Sequence, residues 1–304
     1  MNIVMLGGTG FVGRHLCRSL VENGHRVTAL TRSPQKASSC LASPIVVKQW
    51  DPLQLGTLEN ELEGHDAIIN LAGEPIAEGR WTESRKKNLC NSRVHLTYMV
   101  VKALSNLREP PRILINASAI GYYGSTDMTP VDEQTPAGIG FLADLCVGWE
   151  KEAALAHLHG TRVVSLRIGM VLAKDGGALA KMLLPFQFFV GGPILPGTQP
   201  VSWIHRTDLI QLIQFILNNE TISGPVNAVA PQPSTMREFC QALGLALNRP
   251  SWFPVPEFVL NIGLGELATL MTTGQAVNPA VATQSGFTYK FPTLDSALEA
   301  IVKE

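Results

Sequence analysis

The stretch "IVMLGGTGFVG" (Ile3–Gly13) constrains this chain more than any other. The apolar run Ile3–Leu6 predicts a strand, and Gly7, Gly10 and Gly13 follow it at three-residue spacing. A helix-patterned segment, Phe11–Asn23, comes next and is closed by Gly24. Strand, glycine turn and helix in that order open a doubly wound α/β sheet. Backbone N–H groups at such a helix start hold a pyrophosphate, and the glycines let it approach closely. A glycine motif alone is a weak signal, since a ligand-free turn uses the same residues. Here the strand before, the helix after and a second strand-like run, Arg26–Leu30, give it the right setting.

The rest of the chain repeats that rhythm. Strand-like runs lie at Pro44–Gln49, Asp66–Ala72, Arg112–Ser118 and Arg162–Arg167. They are rich in Val, Ile and Leu and do not alternate, which predicts strands buried on both faces of a parallel sheet. Helical patterns separate them at Trp81–Leu107 and Phe141–His159. The fold expected is α/β: a Rossmann-type doubly wound parallel sheet with a smaller, helix-rich C-terminal substrate lobe. Residues 1–175 would form the nucleotide-binding domain, with sheet contributions from about 203–230, and residues 176–304 mainly the lobe. Helices are predicted at Thr207–Asn218, Thr235–Leu247, Pro256–Met271 and Thr293–Val302, and short strands at Pro225–Ala230 and Phe287–Phe291.

Bulk properties narrow the function. The chain has 304 residues and is 16% charged, well under the roughly 25% of an average globular protein, so a large core is expected. Net charge is −1 and the densest basic cluster is "SRKKN" (Ser84–Asn88), which argues against nucleic-acid or anionic-membrane partners. The cysteines at 17, 40, 90, 146 and 240 are odd in number and form no CxxC pair. A disulfide framework or metal site is therefore not expected, and a reducing compartment is. The N-terminus lacks a signal-peptide pattern. The apolar stretches Met182–Val190 and Phe258–Met271 fall short of the ~20 residues of a membrane span. A cytoplasmic protein is expected, or an organelle stromal one whose transit peptide has been removed.

The second strand ends in Thr31–Arg32. An Asp or Glu there would hold the ribose hydroxyls of NAD, whereas an Arg accommodates the 2′-phosphate of NADP. NADP(H) is the cofactor expected, held by Gly7, Thr9, Gly10, Phe11, Val12 and Gly13 and by Arg32. Asp51, past the third strand, is a candidate for the adenine edge. "NLAG" (Asn70–Gly73) ends the fourth strand with small residues that leave room for adenosine.

With these motifs in view, the chain resembles the extended short-chain dehydrogenase/reductase superfamily. More narrowly, it is similar to its atypical NADP-binding "epimerase family" members, labelled nucleoside-diphosphate-sugar epimerases. The resemblance runs end to end through "GGTGFVG", "INLAGEPIAEGRW" (Ile69–Trp81), "SRVHLT" (Ser92–Thr97), "ASAIGYYG" (Ala117–Gly124), "GGALAKMLLPF" (Gly176–Phe186), "GGPI" (Gly191–Ile194), "SWIHRTDL" (Ser202–Leu209), "GPVNAVAP" (Gly224–Pro231) and "GFTYKFP" (Gly286–Pro292). It implies cofactor contacts from Thr31, Arg32, Leu71, Ala72, Gly73, Arg93 and Val171, with Asn88 nearby. Arg93 stands where ordinary members carry an Asn; its charge would face the cofactor or serve in a helix-surface ion pair.

The resemblance also exposes a gap. Typical members use a Tyr and, four residues later, a Lys that makes the phenol a useful acid. Here Leu142 and Cys146 hold those places, and both read as helix packing. The remaining candidates for chemistry are Ser118 at the tip of the fifth strand and Tyr122 or Tyr123 in the next loop, of which one would face the pocket. Glu74, Gly192, Pro193 and His205 are candidate pocket residues, although His205 also suits a structural hydrogen bond. Two functions follow. One is an NADP(H)-dependent oxidoreductase or epimerase acting on a sugar-like or small carbonyl substrate. The other is a non-catalytic NADPH-binding sensor or scaffold, linked to cell or plastid division.

Overall fold

A computed structural model of the chain describes residues 1–51 and 55–303. Seven strands form the central sheet: β1 (Asn2–Leu6), β2 (Arg26–Thr31), β3 (Val46–Gln49), β4 (Ala67–Asn70), β5 (Ile113–Ala119), β6 (Arg162–Ile168) and β7 (Gly224–Ala228). Their order is β7-β6-β5-β4-β1-β2-β3, and every pairing is parallel. The helices used below are α1 (Gly13–Glu22), α2 (Pro34–Ser38), α3 (Leu55–Leu62), α4 (Glu83–Cys90), α5 (Leu96–Leu104), α6 (Phe141–Ala154), α7 (Gly177–Gln187), α8 (Arg206–Asn218), α9 (Met236–Leu247) and α10 (Glu257–Leu264).

Alternate residues of a strand point to opposite faces, and the two cores divide accordingly. Ile3 and Met5 pack with Leu16 and Leu20 of α1, Ala37 of α2 and Leu209, Leu212 and Ile216 of α8. Val4 and Leu6 pack with Leu58 and Leu62 of α3, Val100 and Leu104 of α5, and Ala153 of α6. Both faces of the central strands are thus covered, which explains their uninterrupted apolar sequence. β3 departs from that expectation. It lies at the sheet edge and three of its four residues are exposed, because an edge strand has no neighbour on one side.

The C-terminal region is helix-rich and has its own core, in which Leu179, Leu183 and Phe186 of α7 meet Phe239 and Leu243 of α9, Leu298, Ile301 and the buried Trp203. The predicted strand Phe287–Phe291 is not one. Buried Asp208 instead accepts hydrogen bonds from the N–H groups of Lys290 (2.7 Å) and Phe291 (3.0 Å), so this segment's donors go to a carboxylate rather than to a ladder. The helix predicted over Trp81–Leu107 is also interrupted: a π-helical turn, Asn91–His95, separates α4 from α5. Such turns are rare and widen the helix locally, redirecting the side chains they carry. Among the described residues, no helix is long and apolar enough to cross a membrane.

Candidate functional site

Strand order reverses between β1 and β4, the place where open α/β sheets bind ligands. The register sets three segments side by side there, since Leu6 pairs with Leu30 on one side and Asn70 on the other. Gly7–Gly13, Thr31–Arg32 and Leu71–Glu74 therefore leave the sheet together.

The glycines are required by space. Gly7 has φ +80°, and a Cβ on it would lie 2.7 Å from the backbone of Leu71 and Ala72. A Cβ on Gly13 would lie 2.1 Å from the carbonyl oxygen of Gly7. Gly10 donates to that same carbonyl at 3.0 Å. Thr9 and Gly10 are exposed, while Phe11 and Val12 are half-buried. The first N–H groups of a helix lack partners within it, and no side chain caps those of α1. The cradle has the shape and donors for a phosphate or pyrophosphate. Phe11 closes one side by lying against Gly176 and Gly177, where a Cβ would approach its ring to 2.5 and 3.1 Å. Val171, whose carbonyl would meet a Cβ on Gly177 at 3.3 Å, belongs to the same wall. Asp175 ties that wall to α1 through an ion pair with Arg14 at 2.6 Å and to α8 through one with Arg206.

On the opposite side, Thr31 accepts a hydrogen bond from the N–H of Ser33 (3.2 Å), and Arg32 is 75% exposed with Glu74 at 3.6 Å. Asp51 is exposed and borders the undescribed residues 52–54. Asn88 is exposed on α4. Arg93, on the π-turn, makes no ion pair among the described residues. Its Nη2 donates to the carbonyl of Glu74 at 2.8 Å, its Nη1 to the carbonyl of Leu89 and to Ser92 Oγ, and its guanidinium lies 5.4 Å from the Trp149 ring centre. It fills the space over Gly73, where a Cβ would come within 3.0 Å of it. Beneath, a buried polar network supports the turn after β4. Asn70 donates to Asn116 (2.7 Å) and to Thr97 (3.2 Å), accepts from the Ala72 N–H (3.2 Å), and Trp149 donates to Thr97 (2.9 Å).

Around the end of β5 the structure builds something that sequence reasoning missed. Buried Arg167 of β6 grips Glu150 of α6 with two hydrogen bonds of 2.8 Å, and Ser118 donates to the same carboxylate at 2.6 Å. Arg167 also donates to Tyr123 Oη at 2.9 Å, and Tyr123 donates to Asn227 at 2.7 Å. Tyr123 is 3% exposed and its phenol is pushed up to about 12, chiefly by burial. Tyr122 is half-buried, with its ring centre 3.5 Å from the Arg167 guanidinium. The one signal available in the sequence was Arg167 near the end of an apolar strand, a position where a charge is rarely buried unless paired; Glu150 opens the charged run Glu150–Glu152 of α6 and gave none. Leu142 packs on Gly121, where a Cβ would meet it at 3.2 Å. Cys146 is buried against the carbonyl of Ala119, and burial pushes its thiol up to about 11.

His205 is 3% exposed and accepts a hydrogen bond from the Thr207 N–H at 3.1 Å, capping α8, with the Phe291 ring tilted against it at 4.1 Å between centres. Burial, then Arg206 and Lys290, push it down to about 4, so it stands neutral. Gly192 and Pro193 belong to a loop packed on a neighbouring segment: a Cβ on Gly192 would overlap the Phe253 backbone at 2.2 Å, and the Pro193 carbonyl accepts from Val255 at 2.9 Å. Among the described residues, no three His, Cys, Asp or Glu side chains gather as a metal site.

A seven-stranded parallel sheet with this glycine cradle defines a Rossmann-like nucleotide-binding protein. The family model "NAD dependent epimerase/dehydratase family" matches residues 3–228, and the chain belongs to that family. Residues 255–301 match a domain of unknown function. The chain is 41% identical to "Epimerase family protein SDR39U1 homolog, chloroplastic" of Arabidopsis thaliana, over all of this chain and 87% of that one. It is 39% identical to "Epimerase family protein YfhF" of Bacillus subtilis, over all of this chain and 99% of that one. The crystal structure of human epimerase family protein SDR39U1 with NADPH superposes with a TM-score of 0.89 at 34% identity, covering 100% of this chain and 99% of that one.

Proposed function

We propose that this protein is an NADP(H)-binding oxidoreductase of the epimerase type, acting on a sugar-like or small carbonyl substrate. The observation that carries the reading is the cradle at Gly7–Gly13, where the backbone packed around Gly7 and Gly13 leaves no room for a Cβ on either, joined to an exposed Arg32 at the end of β2. The family name and the NADPH in the human relative's crystal structure support it. When bound, the nicotinamide nucleotide supplies hydride transfer.

The chain's own residues divide the remaining work. The N–H groups of Phe11, Val12 and Gly13 hold the pyrophosphate, the Gly10 N–H being spent on the Gly7 carbonyl, with Phe11 and Val171 as one wall and Leu71–Gly73 as the other. Arg32 holds the 2′-phosphate, and Asp51 lies toward the adenine edge. Arg93 positions the Gly73–Glu74 backbone rather than touching the nucleotide. Tyr122 is the group that moves a proton, because Tyr123 is buried and committed to Asn227. Ser118 is oriented by Glu150. His205, neutral and capped onto α8, is structural. The five free cysteines support a reducing compartment, cytoplasm or organelle stroma.

The test is a fluorescence titration with NADPH and NADH, followed by NADPH-consumption assays over carbonyl compounds and nucleotide sugars, with Tyr122→Phe as control. Preferential NADPH binding with turnover that the variant abolishes supports the reading. Tight NADPH binding with no turnover on any substrate would overturn it in favour of a non-catalytic sensor.

A further inference from the structure

Glu74 sits among three arginines that are held very differently. Arg85 pairs with Glu74 Oε2 at 3.3 Å and is fixed in addition by the carbonyl of Pro75 at 2.6 Å. Arg93 binds the Glu74 main-chain carbonyl at 2.8 Å and is fixed by Leu89 and Ser92. The Glu74 N–H in turn donates to Ser92 Oγ at 3.1 Å. The carboxylate is therefore anchored to α4, and the main chain that carries it to the π-turn. Arg32 is different: 75% exposed, it reaches across the site mouth from β2 to Glu74 Oε1 at 3.6 Å, its one ion-pair partner among the described residues.

Resting on the cofactor reading above, we propose that Glu74 is a specificity-determining residue: its carboxylate competes with the nucleotide's 2′-phosphate for Arg32 and so limits the margin by which NADPH is preferred over NADH. Both anions seek the same guanidinium. Glu74 is anchored and Arg32 is mobile about its own long stem, so the phosphate draws Arg32 off the carboxylate. NADH brings no group that needs Arg32 and does not feel the competition. The Arg32–Glu74 pair is exposed and long, so the effect is modest, about two- to fivefold in affinity, and largest at low salt.

The experiment is a set of NADPH and NADH dissociation constants, read from nucleotide fluorescence at low ionic strength, for the wild type, Glu74→Gln, Arg32→Ala and the double variant. Glu74→Gln tightens NADPH about two- to fivefold, leaves NADH unchanged, and has no effect in the Arg32→Ala background. Glu74→Ala repeats this result. The inference is overturned if Glu74→Gln leaves NADPH affinity unchanged, tightens both nucleotides equally, or still tightens NADPH without Arg32. A wild type that binds neither nucleotide overturns the cofactor reading itself, a distinct failure.

Discussion

The guanidinium of Arg167 lies 3.5 Å from the centre of the Tyr122 ring. The same group donates to the phenol oxygen of Tyr123 at 2.9 Å. Adjacent tyrosines therefore have opposite lots, one as a half-buried ring stacked on a cation and one as a buried hydrogen-bond link. Tyr123→Phe leaves Arg167 and Asn227 each short of a partner. It should lower unfolding free energy by about 1–3 kcal/mol, measured by urea denaturation, without altering nucleotide affinity. Tyr122→Phe should leave both stability and nucleotide affinity within error of wild type.

Glu150 gives the second prediction. It compensates a guanidinium that is 3% exposed. Removing one partner of a buried pair strands the other charge, so Glu150→Ala should cost about 3–5 kcal/mol. Replacing both residues together, as Glu150→Leu with Arg167→Met, should cost less than Glu150→Ala alone, because no buried charge is then left unpaired. Urea denaturation of the two variants decides it, and a double variant as unstable as Glu150→Ala contradicts the argument.

Gly13 tests the cradle. A methyl group there would stand 2.1 Å from the Gly7 carbonyl oxygen, and neither backbone can yield without moving β1 or α1. Gly13→Ala should weaken NADPH binding more than tenfold, an effect of at least about 1.4 kcal/mol, seen as loss of the nucleotide fluorescence change. Gly24→Ala, at a helix end with open space around it, should leave binding unaffected.

His205 predicts a pH dependence. Its folded-state value, about 4, lies below its ordinary 6.5, so the unfolded chain takes up a proton that the folded chain refuses. This stability is fully present above pH 6.5 and is lost as pH falls toward 4. The size is at most about 3 kcal/mol. His205→Asn keeps a side-chain acceptor for the Thr207 N–H and should flatten that slope; urea midpoints measured across this window check it.

The sequence by itself determined the sheet, the glycine cradle and Arg32, because their signals are local. An apolar run, a glycine where no Cβ fits and a charge at a strand end each announce themselves within a few residues. Its resemblance to a family also exposed the missing Tyr and Lys at Leu142 and Cys146. Tertiary structure decided everything that depends on distant residues meeting. Glu150 and Arg167 are separated in sequence and are joined only because α6 packs on β6; that junction, invisible to any local pattern, buries Tyr123, frees Tyr122 and ties down Ser118. The π-turn likewise took Arg93 off the helix surface and set it under the Glu74 backbone. Long-range pairing of charges has no period or spacing to read, so it had to wait for the fold.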